Sequence, residues 1–420
     1  MGKPALLFLS PIMPAVGGNG LAMRAGATLE ALAADYTVHL LVIPVAGPAE
    51  PPGDAVRRWC ARILVHPAHR HVDPLFQLIA GVRDPDEQLA ALLAYPRPAL
   101  CRFATSASVR EAAELARGPE YRAVHTFRLY LAPFAEPYLA GSGPGRPHCR
   151  LDLDDDEVTT LRRIARLLRE DGDERAARAQ ESEADRYQAL ATALLPRFDR
   201  VYLASPVDRD RVAARHPDAA AAVLENVIRL PGRTGKPPDG EPFTFMFVAN
   251  FDYYPNADAA RYFCARVLPL LRTGASRPFR VRFVGANPPP AVCRLADEPE
   301  VTVTGRVGDL VPWYQSAHAV MVPVRAGGGT RIKVIEAFAH GRSVVSTTVG
   351  AEGLDVTSGR HLLLADTPAD FAAACARLIS DPSLGLALAG QADVFVRQRT
   401  PARLRDSLAG RPAPLPSPAR

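Results

Sequence analysis

Seven residues within ten positions carry the plainest chemistry in the chain: Gly327, Gly328, Gly329, Thr330, Arg331, Lys333 and Glu336. Three successive glycines let backbone amides approach an anion with no side chain in the way. The apolar spacing that follows predicts a helix from Thr330 to Ala339, whose start adds unpaired N–H groups and the positive end of the macrodipole. Arg331 and Lys333 then fall in the first turn. A cation there opposes the helix dipole by about 0.3–1 kcal/mol, so two of them call for an anion beside them. Glu336 sits roughly a turn further on, within reach of hydroxyls on the same ligand. A diphosphate attached to hydroxylated groups meets all three demands. The plainer reading, a glycine-rich surface turn, leaves the opposed cations unexplained. The G-x-x-x-x-G-K-[ST] loop is absent, which weighs against an ATPase.

These residues need a strand to deliver them. Ala319–Val324 is a buried apolar run, and ligands in open α/β sheets bind outside the carboxyl ends of such strands. The same alternation of short apolar runs and helical stretches recurs along the chain. Strands are expected at 5–9, 37–43, 62–65, 123–125, 150–153 and 201–204, then at 243–249, 279–284, 301–304, 319–324, 343–347 and 362–364. Helices are expected at 21–34, 257–271, 310–317 and 330–339. The charged stretch 158–197 reads as two solvated helices broken at Asp171-Gly172-Asp173. Strands alternating with helices give parallel sheets covered on both faces. A chain of 420 residues exceeds one hydrophobic core and divides into two domains. The proline- and glycine-rich stretch 231–242 is the best linker. The expected organisation is an N-terminal Rossmann-like domain over 1–230, the linker, a second Rossmann-like domain over 243–395, a C-terminal helix over 396–409 and a disordered tail over 410–420. A cleft is expected between the two halves.

Composition narrows the partners. The 50 cations exceed the 45 anions only slightly, and no stretch gathers basic and aromatic residues, so nucleic acid is not expected. The six cysteines lack C-x-x-C spacing, which argues against a zinc site or a dithiol centre and suits a reducing compartment. The histidines, including His66, His69 and His71, show no metal-ligand spacing. No segment approaches eighteen uninterrupted apolar residues, and the run Leu6–Leu9 is too short for a signal-peptide core. The chain is read as cytoplasmic, with peripheral membrane contact left open.

The run Gly327-Gly328-Gly329-Thr330-Arg331-Ile332-Lys333-Val334-Ile335-Glu336-Ala337-Phe338-Ala339-His340-Gly341 resembles the donor-binding signature of the GT-B-fold glycosyltransferases of family 4, the retaining group 1 enzymes. Further pieces are similar to the same family: Phe247–Phe251 around Asn250, Val303–Val307 with Gly305 and Arg306, and Gly350–Leu354 with Glu352, Gly353 and Leu354. The likeness covers most of residues 200–395. It implies an α/β GT-B fold, and transfer of a sugar from a nucleoside-diphosphate sugar to a hydroxyl acceptor with retention of configuration. It implies that Arg331 and Lys333 bind the diphosphate and that Glu336 holds the ribose hydroxyls, with Gly328, Gly329 and Thr330 lining the donor. Many members carry a further glutamate eight positions before Glu336. That place is Gly328 here, so the usual contact to the donor sugar is missing or supplied from elsewhere.

The N-terminal half is less specific. Gly17, Gly18 and Asn19 follow the first strand and resemble the family's glycine-rich loop on the acceptor side. His125 ends a strand candidate and resembles a cleft histidine of relatives, which makes it a catalytic candidate. Asp152 and Asp154, in the run Leu151–Glu157, share one strand face and could form a D-x-D metal site of the GT-A kind. Two readings rank above that one: the run caps the following helix, or Asp154 lines the acceptor side. No metal and no cofactor beyond the nucleotide-sugar co-substrate is expected, because Arg331 and Lys333 already supply positive charge at the phosphates. The acceptor is a small molecule, a lipid-linked sugar or a glycan. Two other readings share the diphosphate site: a GT-B-fold sugar-nucleotide epimerase, and a non-catalytic sugar-nucleotide-binding partner.

Overall fold

The computed structural model describes residues 2–140, 145–229, 238, 240, 242–399 and 401–409. The expected tail 410–420 lies outside the described residues, as does the linker 231–242 apart from positions 238, 240 and 242. The chain divides into two compact units. One comprises the chain up to Val227 together with the segment from Pro401, and the other spans Ile228–Thr400.

The first unit is built on a parallel sheet of β1 (Ala5–Ser10), β2 (Thr37–Val42), β3 (Cys60–Val65), β4 (Tyr121–Phe127), β5 (His148–Asp154), β6 (Arg200–Leu203) and β7 (Ala221–Val223). Their order is β3-β2-β1-β4-β5-β6-β7, every pairing parallel. Alternate residues feed two separate apolar layers. Leu7, Leu9, Val124, Leu151 and Val201 face one, while Leu6, Phe8, Ala123, Phe127 and Tyr202 face the other. Both faces are covered, and the central strand β1 reads as an almost unbroken apolar run. The strand order reverses between β1 and β4, which places the open crevice of this sheet at their carboxyl ends.

The second unit repeats the plan with β8 (Phe243–Val248), β9 (Phe279–Val284), β10 (Val301–Val303), β11 (Ala319–Val322), β12 (Ser343–Ser346) and β13 (Leu363–Leu364). Their order is β10-β9-β8-β11-β12-β13, again all parallel. Phe245, Phe247, Phe283, Met321, Val322 and Val345 are fully buried within it. Here the order reverses between β8 and β11. The loop at Asn250 and the glycine-rich segment at 327–329 are therefore the two lips of one crevice.

The break expected at Asp171–Asp173 separates helices Glu157–Glu170 and Glu174–Leu194. Elsewhere the boundaries shift for identifiable reasons. The helix expected from Thr330 starts at Ile332, because Gly329 takes a left-handed φ of 68° and Arg331 is extended. The helix expected over 257–271 spans Tyr254–Gly274 and passes through a π-helical turn, Phe263–Val267. Pro269 lies just beyond that turn and has no N–H to give the preceding one. The C-terminal helix expected over 396–409 is two helices. Pro382–Arg397 belongs to the second unit. Pro401–Leu408 belongs to the first, where Leu404 and Leu408 join the apolar layer of Leu29 and Leu32, and Arg405 Nε donates to Asp35 at 2.9 Å. Among the described residues no single helix is long and apolar enough to cross a membrane.

Candidate functional site

Every donor-side residue singled out in the sequence lies on a loop at, or a helix starting from, the carboxyl ends of β8 to β12. Between β8 and β9 the backbones meet closely. A Cβ on Gly285 (φ 148°) would lie 1.7 Å from the carbonyl oxygen of Ala249, so this position takes only glycine. Asn250 follows directly. Its Oδ1 accepts from Asn287 Nδ2 at 3.2 Å and from the Asp252 N–H at 3.3 Å, and its carbonyl accepts from Asn256 Nδ2 at 2.8 Å. Gly305 turns the chain after β10 at φ 71°, with Arg306 exposed beyond it. After β12, Thr347 ties two loops together: its hydroxyl donates to the Val324 carbonyl at 2.5 Å and accepts from the Gly350 N–H at 2.8 Å. Glu352, Gly353 and Leu354 follow, with Gly353 at φ 79°.

The glycine-rich segment closes on itself. The Arg331 guanidinium turns back so that Nη1 donates to the carbonyls of Gly328 and, at 3.2 Å, Gly329. A Cβ on Gly327 would lie 2.6 Å from Nη2 of the same guanidinium, and Gly327 itself has φ 134°. Nη2 is buried without a hydrogen-bond partner. The two cations therefore differ: Arg331 fixes the loop, while Lys333 reaches across the crevice. Lys333 Nζ donates to Asn256 Oδ1 at 2.7 Å and lies 4.4 Å from the centroid of the Phe247 ring. Burial, with Arg331 nearby, brings its pKa from 10.5 down to about 7 against the pull of Glu336. The N-cap residue Arg331 gives this helix no side-chain cap, and its carbonyl accepts the Val334 N–H at 2.9 Å.

Glu336 is raised in pKa by burial, partly offset by a hydrogen bond from Tyr314 and by Lys333. The Tyr314 hydroxyl donates to Glu336 Oε2 at 3.0 Å. Its ring is fully buried and stacked on His340 at 4.1 Å with planes 4° apart. Sequence reasoning missed both Asn256 and Tyr314, which orient Lys333 and Glu336. The pattern held one usable signal: each is a polar residue at the start of, or inside, a short amphipathic helix facing the crevice.

The candidates of the first unit fare differently. Gly17 and Gly18 are exposed, and Asn19 caps the helix Gly20–Ala33 by accepting the Leu21 N–H at 2.9 Å. The expected place of His125 at a strand end is corrected. The residue lies inside β4, not at its end, with 0% exposure, and is stacked between Phe8 at 5.0 Å and Tyr202 at 6.4 Å. Burial, with Arg150 and Arg24 nearby, holds its pKa well below the usual value, so the ring is neutral.

The acidic run is neutralised by arginine. Asp152 is fully buried and takes Arg24 Nη2 at 2.8 Å, and Arg24 also lies 3.4 Å from Asp154. One guanidinium, that of Arg24, meets both aspartates and occupies the place a D-x-D metal would need. Arg128 pairs with Asp154 at 3.4 Å, Asp155 at 2.5 Å and Glu157 at 3.1 Å, while Arg215 pairs with Asp156 at 2.5 Å. Asp156 also caps the helix Glu157–Glu170, as one of the sequence readings holds. Arg128 and Asp154 both have left-handed backbones, at φ 75° and 67°, at the ends of adjacent strands. A bulge in β5 between Asp152 and Asp154 produces the turn. Burial raises the pKa of Asp154 to about 6. Among the described residues no group of His, Cys, Asp or Glu could hold a metal ion.

Residues 242–381 match the family described as glycosyl transferases group 1. Over 97 residues the chain is 35% identical to the trehalose synthase of Rubrobacter xylanophilus, a match spanning 23% of this chain and 23% of that protein. The chain thus aligns with about a quarter of this curated relative. Among solved structures, the sucrose-phosphate synthase of Thermosynechococcus elongatus superposes with a TM-score of 0.67 at 16% identity, covering 96% of this chain and 97% of that one. HepE of Anabaena, in complex with UDP and glucose, superposes with a TM-score of 0.61 at 14% identity, covering 97% and 99%. The two parallel α/β sheets are those of the GT-B fold, and residues 242–381 carry the match to the glycosyl transferases group 1 family.

Proposed function

We propose that this protein transfers a sugar from a nucleoside-diphosphate sugar to a hydroxyl acceptor, with retention of anomeric configuration. One observation carries the reading. Lys333 is held across the β8/β11 switch point, beside an uncapped helix start and one turn from a tyrosine-anchored glutamate. That arrangement suits a diphosphate joined to a ribose. The related fold of HepE holds UDP and glucose, which supports a donor of this class.

In the reaction the bond between the anomeric carbon and the β-phosphate oxygen breaks, and the acceptor oxygen bonds to the same carbon. The acceptor proton passes to the leaving phosphate. Negative charge grows on that phosphate, and Lys333, the free Nη2 of Arg331 and the amides at the start of the Ile332–Ala339 helix meet it. Donors organised in this way are worth about 10²–10³ in rate. Glu336, with Oε2 anchored by Tyr314, accepts from the ribose hydroxyls. The donor sugar lies beyond Gly328, which offers only backbone. Metal independence belongs to the same proposal, since these groups supply the positive charge. Asp154 and the loop at Gly17–Asn19 are proposed to line the acceptor side.

Incubation with nucleotide sugars and a panel of hydroxyl acceptors tests the reading, with nucleoside diphosphate release and the anomeric proton followed by NMR. Acceptor-dependent release with the original anomeric configuration is expected. Conversion of the donor sugar without acceptor would make the protein an epimerase. Tight binding with no turnover across the panel would make it a non-catalytic partner.

A further inference from the structure

One side chain spans the crevice between the loop after β8 and the helix after β11, and it belongs to neither the glycine-rich segment nor the acidic pair. Asn256 Nδ2 donates to the Asn250 carbonyl at 2.8 Å, and Asn256 Oδ1 accepts from Lys333 Nζ at 2.7 Å. A carbonyl can only accept, so the amide nitrogen is committed to Asn250 and the oxygen must face Lys333. The Asn250 end is itself secured by Asn287 at 3.2 Å and by the Asp252 N–H at 3.3 Å. On its other side the ammonium rests against the Phe247 ring at 4.4 Å. Of the three N–H groups of Lys333, one is taken by Asn256 and one is turned toward the aromatic face. The remaining one is left for an anion.

We propose that Asn256 is a positioning residue that holds the Lys333 ammonium over the β8/β11 switch point and thereby sets the pH range in which the site takes up a diphosphate. The second half of this statement rests on the donor-site reading above; the first does not. The charged groups facing Lys333 are Arg331, which disfavours its charge, and Glu336, which favours it. Its other neighbours, Asn256 and Phe247, are neutral, so the amide oxygen is the contact through which the ammonium can be tuned. An opposite charge within about 4–6 Å moves a pKa by about 1–3. Asn256→Asp puts a carboxylate oxygen against Lys333 with almost no change of shape, and gives up the N–H donated to the Asn250 carbonyl. Asn256→Ala removes the acceptor altogether.

The chain contains three lysines, Lys3, Lys236 and Lys333, which makes the ammonium directly readable. Full-length protein labelled at lysine Cε with carbon-13 gives three titrating resonances, and that of Lys333 is the one lost in Lys333→Arg. Without ligand, the Lys333 midpoint should lie well below the other two. It should rise by about one pH unit or more in Asn256→Asp and fall in Asn256→Ala, while Lys3 and Lys236 stay put. Calorimetric titration with UDP-glucose, whose diphosphate has no proton to titrate in this range, should show affinity falling as pH rises through each variant's own Lys333 midpoint. The strut is overturned if Lys333 titrates identically in Asn256→Asp and the parent while both give the same circular dichroism. A merely structural asparagine would leave the midpoint unmoved. If the midpoint moves but no UDP-, GDP-, ADP- or dTDP-sugar binds the parent, the strut stands and the donor reading falls.

Discussion

Replacing Lys333 with methionine preserves most of the side-chain bulk and removes the charge. In the parent protein the ammonium sits against Asn256 at 2.7 Å and Phe247 at 4.4 Å, with its pKa brought from 10.5 to about 7. That interval corresponds to an upper figure of roughly 5 kcal/mol of destabilisation at neutral pH. The part of the side chain open to solvent reduces it to on the order of 2–4 kcal/mol. The folded-state pKa lies below the unfolded one, so between about pH 7 and 10.5 the unfolded chain binds the extra proton and stability rises with pH. Lys333→Met should therefore stabilise the unliganded protein most at pH 7 and below, with the gain fading toward pH 10.5. Function moves the other way. Loss of charge-assisted hydrogen bonds to the phosphates costs about 1.5–3 kcal/mol in affinity, or roughly 10- to 150-fold, and turnover falls by about 10²–10³. Urea denaturation at both ends of that pH range, with UDP-glucose titration and diphosphate-release rates on the same samples, reads all three. A variant that keeps full turnover, or that is destabilised at neutral pH, refutes the reasoning.

Tyr314→Phe frees Glu336 Oε2 and should weaken ribonucleotide binding by roughly 10- to 15-fold, one charged-acceptor hydrogen bond at the lower end of its range. Binding of inorganic pyrophosphate should be unchanged, and competition titrations with both ligands check this. His125→Phe keeps the stack on Phe8 and Tyr202 and removes two buried nitrogens that lack partners, so turnover within about threefold of the parent and undiminished stability are expected. A large loss of kcat in a well-folded variant would restore this residue to the chemistry. Leu404→Ala empties a buried position on the helix Pro401–Leu408 and should cost about 2–5 kcal/mol in denaturant titration. Turnover should survive EDTA treatment, measured as diphosphate release before and after dialysis.

The sheet-and-helix order and the donor segment were legible because their signals are local. Parallel strands covered on both faces read as apolar runs, and the glycines, cations and glutamate at 327–336 lie within one loop and helix. What escaped was non-local. Asn256 lies 77 residues from Lys333 and Tyr314 22 residues from Glu336, and neither pairing has a period or a motif. Asp152 meets Arg24 across 128 residues, so the local sequence does not show that Arg24, Arg128 and Arg215 fold onto the acidic run. His125 lies inside β4 and not at its end because no glycine, proline or charged residue at 124–127 marks where the strand stops. The strand runs on through Thr126 and Phe127 and leaves the ring inside the sheet. The left-handed turn at Asp154 needed the bulge in β5, and a single strand cannot show which partner it slips against.

The most direct test of the account is a structure of the protein with a bound nucleoside diphosphate from the UDP, GDP, ADP and dTDP series. The diphosphate is expected within hydrogen-bond distance of Lys333 Nζ and the N–H groups at the start of the Ile332–Ala339 helix, with the ribose on Glu336. A nucleotide bound elsewhere, with Lys333 still closed on Asn256 and Phe247 alone, would contradict it.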